Sequence, residues 1–133
     1  MKVAMIGSRR YEKPRKIREM ILNLKNKFGD KLVIISGGAK DGADRYVKKY
    51  AIEHVVEYKE FNPAHTPRNL YSAMADDYYD KPYHVSQFHH RNMLIAADCE
   101  IMIAFIEGPV ASSGTKSALD AASRMQKRTI IIS

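Results

Sequence analysis

Residues 32–45 read Leu-Val-Ile-Ile-Ser-Gly-Gly-Ala-Lys-Asp-Gly-Ala-Asp-Arg, and no other stretch narrows the choice of fold as far. Four apolar residues, three of them β-branched, run into the pair Gly37-Gly38. Gly42 follows, and a helical pattern then begins. A strand that stops at glycines and reopens as a helix is a unit of an α/β sheet. Its turn leaves backbone N–H groups unpaired and facing outward, which suits a phosphate or similar anion.

The rest of the chain repeats the alternation. Residues 2–7 form an apolar first strand. Pro14 suits a helix's first turn, and Ile17, Met20, Ile21, Leu24 and Phe28 share one face of a helix ending near Gly29. Residues 32–35 are the second strand, and the helix after Gly42 buries Ala43, Val47, Tyr50 and Ala51. Residues 55–61 alternate as a third strand, closed by Asn62-Pro63. A helix over about 86–97 precedes a fourth strand at 100–106, flanked by Asp98 and Gly108-Pro109. The loop from Val110 to Gly114 opens a helix presenting Ala118, Ala121, Ala122 and Met125, and residues 129–132 close the chain as a last strand.

Residues 62–84 are the irregular part, with Pro63, Pro67 and Pro82, four tyrosines and the acids Asp76, Asp77 and Asp80. Part of this stretch, about 68–79, is expected to be helical. It has too few aliphatic side chains for a core of its own, so it reads as an insertion or lid within a single domain over 1–133. The fold class is therefore α/β, a parallel sheet of about five strands with helices on both faces. In such sheets ligands sit beyond the carboxyl ends of the strands. Gly7-Ser8-Arg9, Ser36-Gly37-Gly38 and the 112–115 loop are expected to converge there.

Each motif has a plain reading beside a functional one. The 36–44 loop is neither G-x-G-x-x-G nor G-x-x-x-x-G-K-[ST], and a chain reversal alone would also need glycines. Ala39 sits within it. Asp44 would cap the following helix, take a ribose hydroxyl, or act on a glycosidic bond. Ser113-Gly114-Thr115 is a second anion site or a simple N-cap. Arg9 is suited to a bidentate grip on phosphate or is a surface arginine. Tyr11 stacks on a base or packs against its loop. Arg91-Asn92 opens an apolar run, as a cap or as part of the site.

The net charge of +7 is concentrated: residues 1–31 hold ten lysines and arginines against three acids, and the remainder balances. A solvated helix face explains this, as does attraction of a charged ligand. Only Tyr11 and Phe28 interleave with it, so a nucleic-acid stacking surface is not expected. Histidines 54, 65, 84, 89 and 90 lack ligand spacing, and neither a metal nor a cofactor is expected. Cys99, the one cysteine, lies between Asp98 and Glu100, which disfavour a thiolate nucleophile. It also excludes an internal disulfide. No apolar run nears the roughly 18–20 residues that span a bilayer. Ser8-Arg9-Arg10 interrupts the apolar N-terminus, so a membrane role is not expected and the cytoplasm is.

Taken together, Gly7-Ser8-Arg9 with Tyr11, Ser36-Gly37-Gly38-Ala39 with Gly42-Ala43-Asp44, Arg91-Asn92 before Ala97-Asp98, and Ser113-Gly114-Thr115 resemble the SLOG superfamily of Rossmann-like proteins. Within it the chain is similar to the group related to YspA and the cytoplasmic YpsA proteins. The resemblance implies a site at the strand ends for a nucleotide, nucleoside or ADP-ribose/NAD-like molecule. It also implies a place in phage or bacterial conflict systems and a homo-oligomer. Lonely Guy phosphoribohydrolases, more distant relatives, carry P-G-G-x-G-T-x-x-E and cleave the base from a nucleoside monophosphate. Gly114-Thr115 align with that signature, but Ala118 stands at the glutamate place and Ala111-Ser112 at the glycines. The resemblance therefore favours a binder: a sensor, sponge or adaptor. The alternative it leaves is an N-glycoside hydrolase or transferase with Asp44 as its acid; Asp120 is the other acid nearby.

Overall fold

A computed structural model of the protein describes residues 1–108 and 111–133; Pro109 and Val110, expected in the loop before the last helix, lie outside the described residues. Five strands form one sheet: β1 (Lys2–Gly7), β2 (Val33–Ser36), β3 (Glu57–Glu60), β4 (Ile101–Phe105) and β5 (Arg128–Ile132). All pairs are parallel and the order is β3-β2-β1-β4-β5. Ala4 lies between Ile35 and Met102 in the central register. Four helices connect the strands: α1 (Pro14–Phe28), α2 (Gly42–Glu53), α3 (Ser86–Asp98) and α4 (Ser113–Arg124).

The period of two along β1 divides the core. Val3 and Met5 pack with Ile17 and Ile21 of α1 and Val47 of α2. Ala4 and Ile6 pack on the other face with Ile95 of α3 and Ala118 and Ala122 of α4. Helices thus cover both faces, as a near-continuous apolar β1 requires. The chain runs outward from β1 through β2 to β3, then returns to place β4 against β1. That reversal leaves a crevice at the carboxyl ends of β1 and β4.

Several element boundaries differ from the sequence expectation, for identifiable reasons. β3 begins at Glu57, not Val55, because Val55 adopts a left-handed conformation (φ 56°) and closes α2. Val56 N–H donates to Ala51 O and Val55 N–H to Ile52 O, the Schellman pairing that ends a helix. α4 ends the same way, with Gln126 at φ 60° and Lys127 N–H donating to Ala122 O. Met125 therefore falls outside the helix and is exposed instead of continuing the alanine face.

The expected helix over 68–79 is absent; that segment holds a single three-residue 3-10 turn, Asp76–Tyr78. Its backbone is engaged elsewhere. Glu60 N–H donates to Tyr71 O and Ala73 N–H to Glu60 O, which docks the segment on the outer edge of β3. Lys81 N–H donates to Ala64 O, so the two ends of the insertion are drawn together. Phe61, Ala64 and Tyr79 are buried, anchoring it to the body.

Candidate functional site

A cavity of about 850 Å3 opens at the carboxyl ends of β1, β2 and β4. β1 delivers Gly7, Ser8, Arg9 and Arg10 to it. The β2 loop and the first turn of α2 supply Gly37, Ala39 and Asp44. α3 contributes Arg91 and Asn92, and the start of α4 contributes Ser113, Gly114 and Thr115. The structure thus brings together most residues singled out by sequence, from four separate segments.

Three of them do not line the cavity. Tyr11 is fully buried with its ring 5.5 Å from Phe105, a core side chain unable to stack on a base. Ser36 is fully buried beneath the loop. Gly38 faces away: a Cβ there would lie 1.8 Å from Glu60 Oε2 and 2.9 Å from Asn62 Nδ2. The second glycine of the pair thus backs onto a buried carboxylate and holds a left-handed φ of 71°.

That carboxylate belongs to a polar cluster the sequence did not reveal. Glu60 is 1% exposed, accepts from Lys48 Nζ at 2.7 Å and from Asn62 Nδ2 at 2.6 Å. Ser72 Oγ donates to Asn62 Oδ1 at 2.8 Å, which ties the insertion to the same cluster. A buried charge needs such pairing to avoid its desolvation cost.

Gly37 is hemmed in by the cavity's own charges. Its added Cβ would lie 2.5 Å from Arg91 Nη1 and 3.0 Å from Asp44 Oδ2. Arg91 Nη1 donates to Gly37 O at 2.7 Å and to Phe61 O at 3.3 Å, while its Nε donates to Asn92 Oδ1 at 3.0 Å. The arginine therefore clamps the β2 loop to the chain beyond β3. Burial lowers the affinity of this guanidinium for its proton, and the nearby Asp44 charge opposes that.

Asp44 is 7% exposed. Its Oδ2 accepts from Ala39 N–H at 3.2 Å, while its Oδ1 is buried without a hydrogen-bond partner. Burial pushes this carboxyl above its usual range; the Arg91 charge and the Ala39 amide pull the other way. The N-terminus of α2 is already occupied, since Ala43 N–H donates to Ser8 O at 3.0 Å. Two amides of the anion cradle expected on the β2 loop, those of Ala39 and Ala43, are thus taken by internal contacts.

The start of α4 is different. Ser112 Oγ accepts from Thr115 N–H at 3.3 Å, an N-cap, and Asn92 Nδ2 donates to Gly114 O at 3.3 Å. Among the described residues, nothing lies within 4 Å of the place a Gly114 Cβ would take. Ser113, Gly114 and Thr115 line the cavity, so this helix start, capped in part by Ser112, brings its positive dipole end to it. Arg9 and Arg10 line the same space.

Sequence reasoning missed Arg10, Tyr83, Val85, Phe88, His89 and Ile95 as lining residues. Phe88 and Ile95 had a signal: with Arg91 and Asn92 they fall at i, i+3, i+4 and i+7, one face of α3. Asp120, the other candidate acid, lies in a separate groove of about 350 Å3 beside α4 and not in this cavity. Among the described residues no group of three His, Cys, Asp or Glu side chains is placed to hold a metal. Among them, too, no helix is long and apolar enough to cross a membrane.

Residues 1–66, which carry both the β1 and β2 turns, match the model of the YspA, cpYpsA-related SLOG family. Over that stretch the chain resembles that family. Similar solved structures extend the likeness over the whole fold. The molybdenum cofactor binding protein of the phototrophic bacterium Rippkaea orientalis superposes with a TM-score of 0.70 at 16% identity, covering 98% of this chain and 74% of that one. Two structures of the molybdenum cofactor carrier protein of Chlamydomonas reinhardtii give TM-scores of 0.63 and 0.61, each at 17% identity. They cover 98% of this chain and 74% and 75% of theirs. At such identities the likeness is one of fold. No curated protein matches the chain in sequence. The family match covers the turns after β1 and β2, whereas most of the insertion, the turn before α4 and all of α3 and α4 lie beyond it.

Proposed function

We propose that this protein, like the SLOG family it resembles, binds a small phosphorylated ligand of the nucleotide, ADP-ribose or NAD class at the carboxyl ends of its strands, as a sensor, sponge or adaptor. The observation that carries the reading is the start of α4 at Gly114, with open space beside it among the described residues and sharing one cavity with Arg9 and Arg10. Backbone amides at a helix start and flanking arginines are complementary to phosphate. Asp44 and Asn92 supply polar groups along the same wall, suited to ribose hydroxyls. The volume of about 850 Å3 falls in the range of small-molecule sites. The single buried cysteine fits a reducing compartment, so we read the protein as cytoplasmic. Assembly as a homo-oligomer and a role in bacterial or phage conflict are readings taken from the family.

The test is thermal unfolding with a ligand panel: nucleoside mono-, di- and triphosphates, ADP-ribose and NAD, with molybdenum cofactor included because the structural neighbours carry it. A ligand at about 100 times its Kd stabilises the folded state by about 2.7 kcal/mol, a shift of several degrees. A shift with nucleotides and none with molybdenum cofactor supports the proposal. A shift with molybdenum cofactor alone, or with nothing at millimolar concentration, rejects it.

One observation favours a second reading, an N-glycoside hydrolase or transferase. Asp44 lines the cavity with its Oδ1 buried and without a hydrogen-bond partner among the described residues, the carboxylate that would stabilise an oxocarbenium-like ribosyl centre. Release of free base from nucleoside monophosphates, abolished by Asp44→Asn, is its test. Release that survives Asp44→Asn removes Asp44 from the role.

A further inference from the structure

The cavity has a second end with different chemistry. Its lining includes Tyr83, Val85 and Phe88, none of which lies in the part of the chain that matches the family. Tyr83 is 66% exposed and Val85 59% exposed. Two large apolar side chains left open at a cavity mouth are unusual enough to need an explanation.

They are not loosely held. The Tyr83 and Phe88 rings lie 6.0 Å apart, and His65 packs edge-on against Tyr83 at 5.0 Å and tilted against Phe88 at 5.6 Å. His65 is itself fixed, its backbone N–H and ring Nδ1 both on Gln87 Oε1 at 3.2 and 3.0 Å. Gln87 Nε2 donates to Pro82 O at 2.7 Å, which locks the approach to Tyr83. The Arg91 guanidinium lies 5.8 Å from the Phe88 ring. A pre-set aromatic cluster flanked by a guanidinium is suited to a planar heteroaromatic ring, which stacks on both.

Resting on the phosphate reading above, we infer that the ligand lies lengthwise in the cavity. Its phosphate sits at the start of α4, and its planar base lies against Tyr83 and Phe88 at the mouth. The segment outside the family match then supplies base selectivity, and the strand-end turns hold the sugar-phosphate. The substrate class is narrowed to phosphorylated ligands carrying an aromatic ring, against sugar phosphates of similar charge.

Titration calorimetry with the four common ribonucleoside 5′-monophosphates and with ribose 5-phosphate tests this. The tightest nucleotide is expected to bind at least about tenfold more tightly than ribose 5-phosphate, the scale of one stacked base. Tyr83→Ala, at an exposed position that the fold does not need, is expected to remove about that factor for the nucleotide. Its ribose 5-phosphate affinity stays unchanged. Tyr83→Trp provides a second measurement, since the chain has no other tryptophan. Its emission should be quenched by the nucleotide and not by ribose 5-phosphate. Three results overturn the inference and leave phosphate binding standing: equal affinity for nucleotide and ribose 5-phosphate, equal loss of both in Tyr83→Ala, or unquenched indole emission from Tyr83→Trp at nucleotide saturation. Binding of neither by the wild-type protein overturns the phosphate reading and this inference with it.

Discussion

Gly42 and Gly114 stand in similar sequence contexts, each at the start of a helix, yet they have opposite reasons for being glycine. Gly42 has φ 68°, and its Cβ would lie 2.2 Å from Ser8 O, a backbone atom that cannot step aside. Gly42→Ala is therefore expected to cost about 2–4 kcal/mol in urea unfolding, from left-handed strain plus displacement of the β1 loop. Gly114 has open space around it, and Gly114→Ala should change stability by less than about 1 kcal/mol, on the favourable side. If Gly114→Ala also weakens phosphate binding, the glycine is there for the ligand. Asp44 gives a pH-dependent prediction. Burial raises its folded-state affinity for a proton above that of an ordinary carboxyl, so the native state retains that proton where the unfolded chain has lost it. Its contribution is fully present below the unfolded value and falls as pH rises toward the folded one. Asp44→Asn should lose that decline, so its stability relative to wild type rises with pH from about 4 upward. A constant difference between the two proteins contradicts the burial account.

At the scale of elements, the two helix ends explain most of what sequence reasoning misplaced. A helix terminus is usually legible because glycine takes the left-handed position after it. α2 and α4 use Val55 and Gln126 there. Val55, β-branched and followed by alternating residues, reads as a strand start, and Met125 reads as the next turn of an alanine face. Val55 is 86% exposed, so its strain is not offset by packing. Val55→Gly should stabilise the protein by about 0.5–1 kcal/mol, measured by chemical denaturation, reversing the usual sign of such a change. The insertion was legible as irregular but not as docked. Its attachment depends on Glu60 and Asn62 meeting Ser72, and nothing in local pattern marks a glutamate in a four-residue edge strand as buried. α3 shows the reverse case: once Arg91 and Asn92 are placed in the site, helical periodicity alone extends it to Phe88 and Ile95.

Across the whole molecule, the alternation of apolar strands with helices made the parallel sheet legible, and with it the convergence of three strand ends. Which of the converging loops keeps free amides was not legible. Arg91 reaches the Gly37 carbonyl across 54 residues and Glu60 lies behind Gly38, so the most conspicuous glycine pair also serves packing. The quieter turn at Gly114 has open space beside it among the described residues. The charge distribution acts at this scale too. The excess of +7 resides in residues 1–31, largely on the exposed side of α1 and at Arg9 and Arg10. Such a field accelerates encounter with anions and is screened by salt. The association rate of a phosphorylated ligand, followed by stopped flow, should fall about tenfold or more between ~0.02 and ~0.5 M salt, with a much smaller change in dissociation.

The central claim is that a phosphate at the start of α4 anchors the ligand, and calorimetric comparison of a nucleotide with its own nucleoside tests it most directly. Charge-assisted hydrogen bonds from amides and an arginine should make the nucleotide bind about 100-fold more tightly or better. Nucleoside and nucleotide binding with equal affinity would contradict the account.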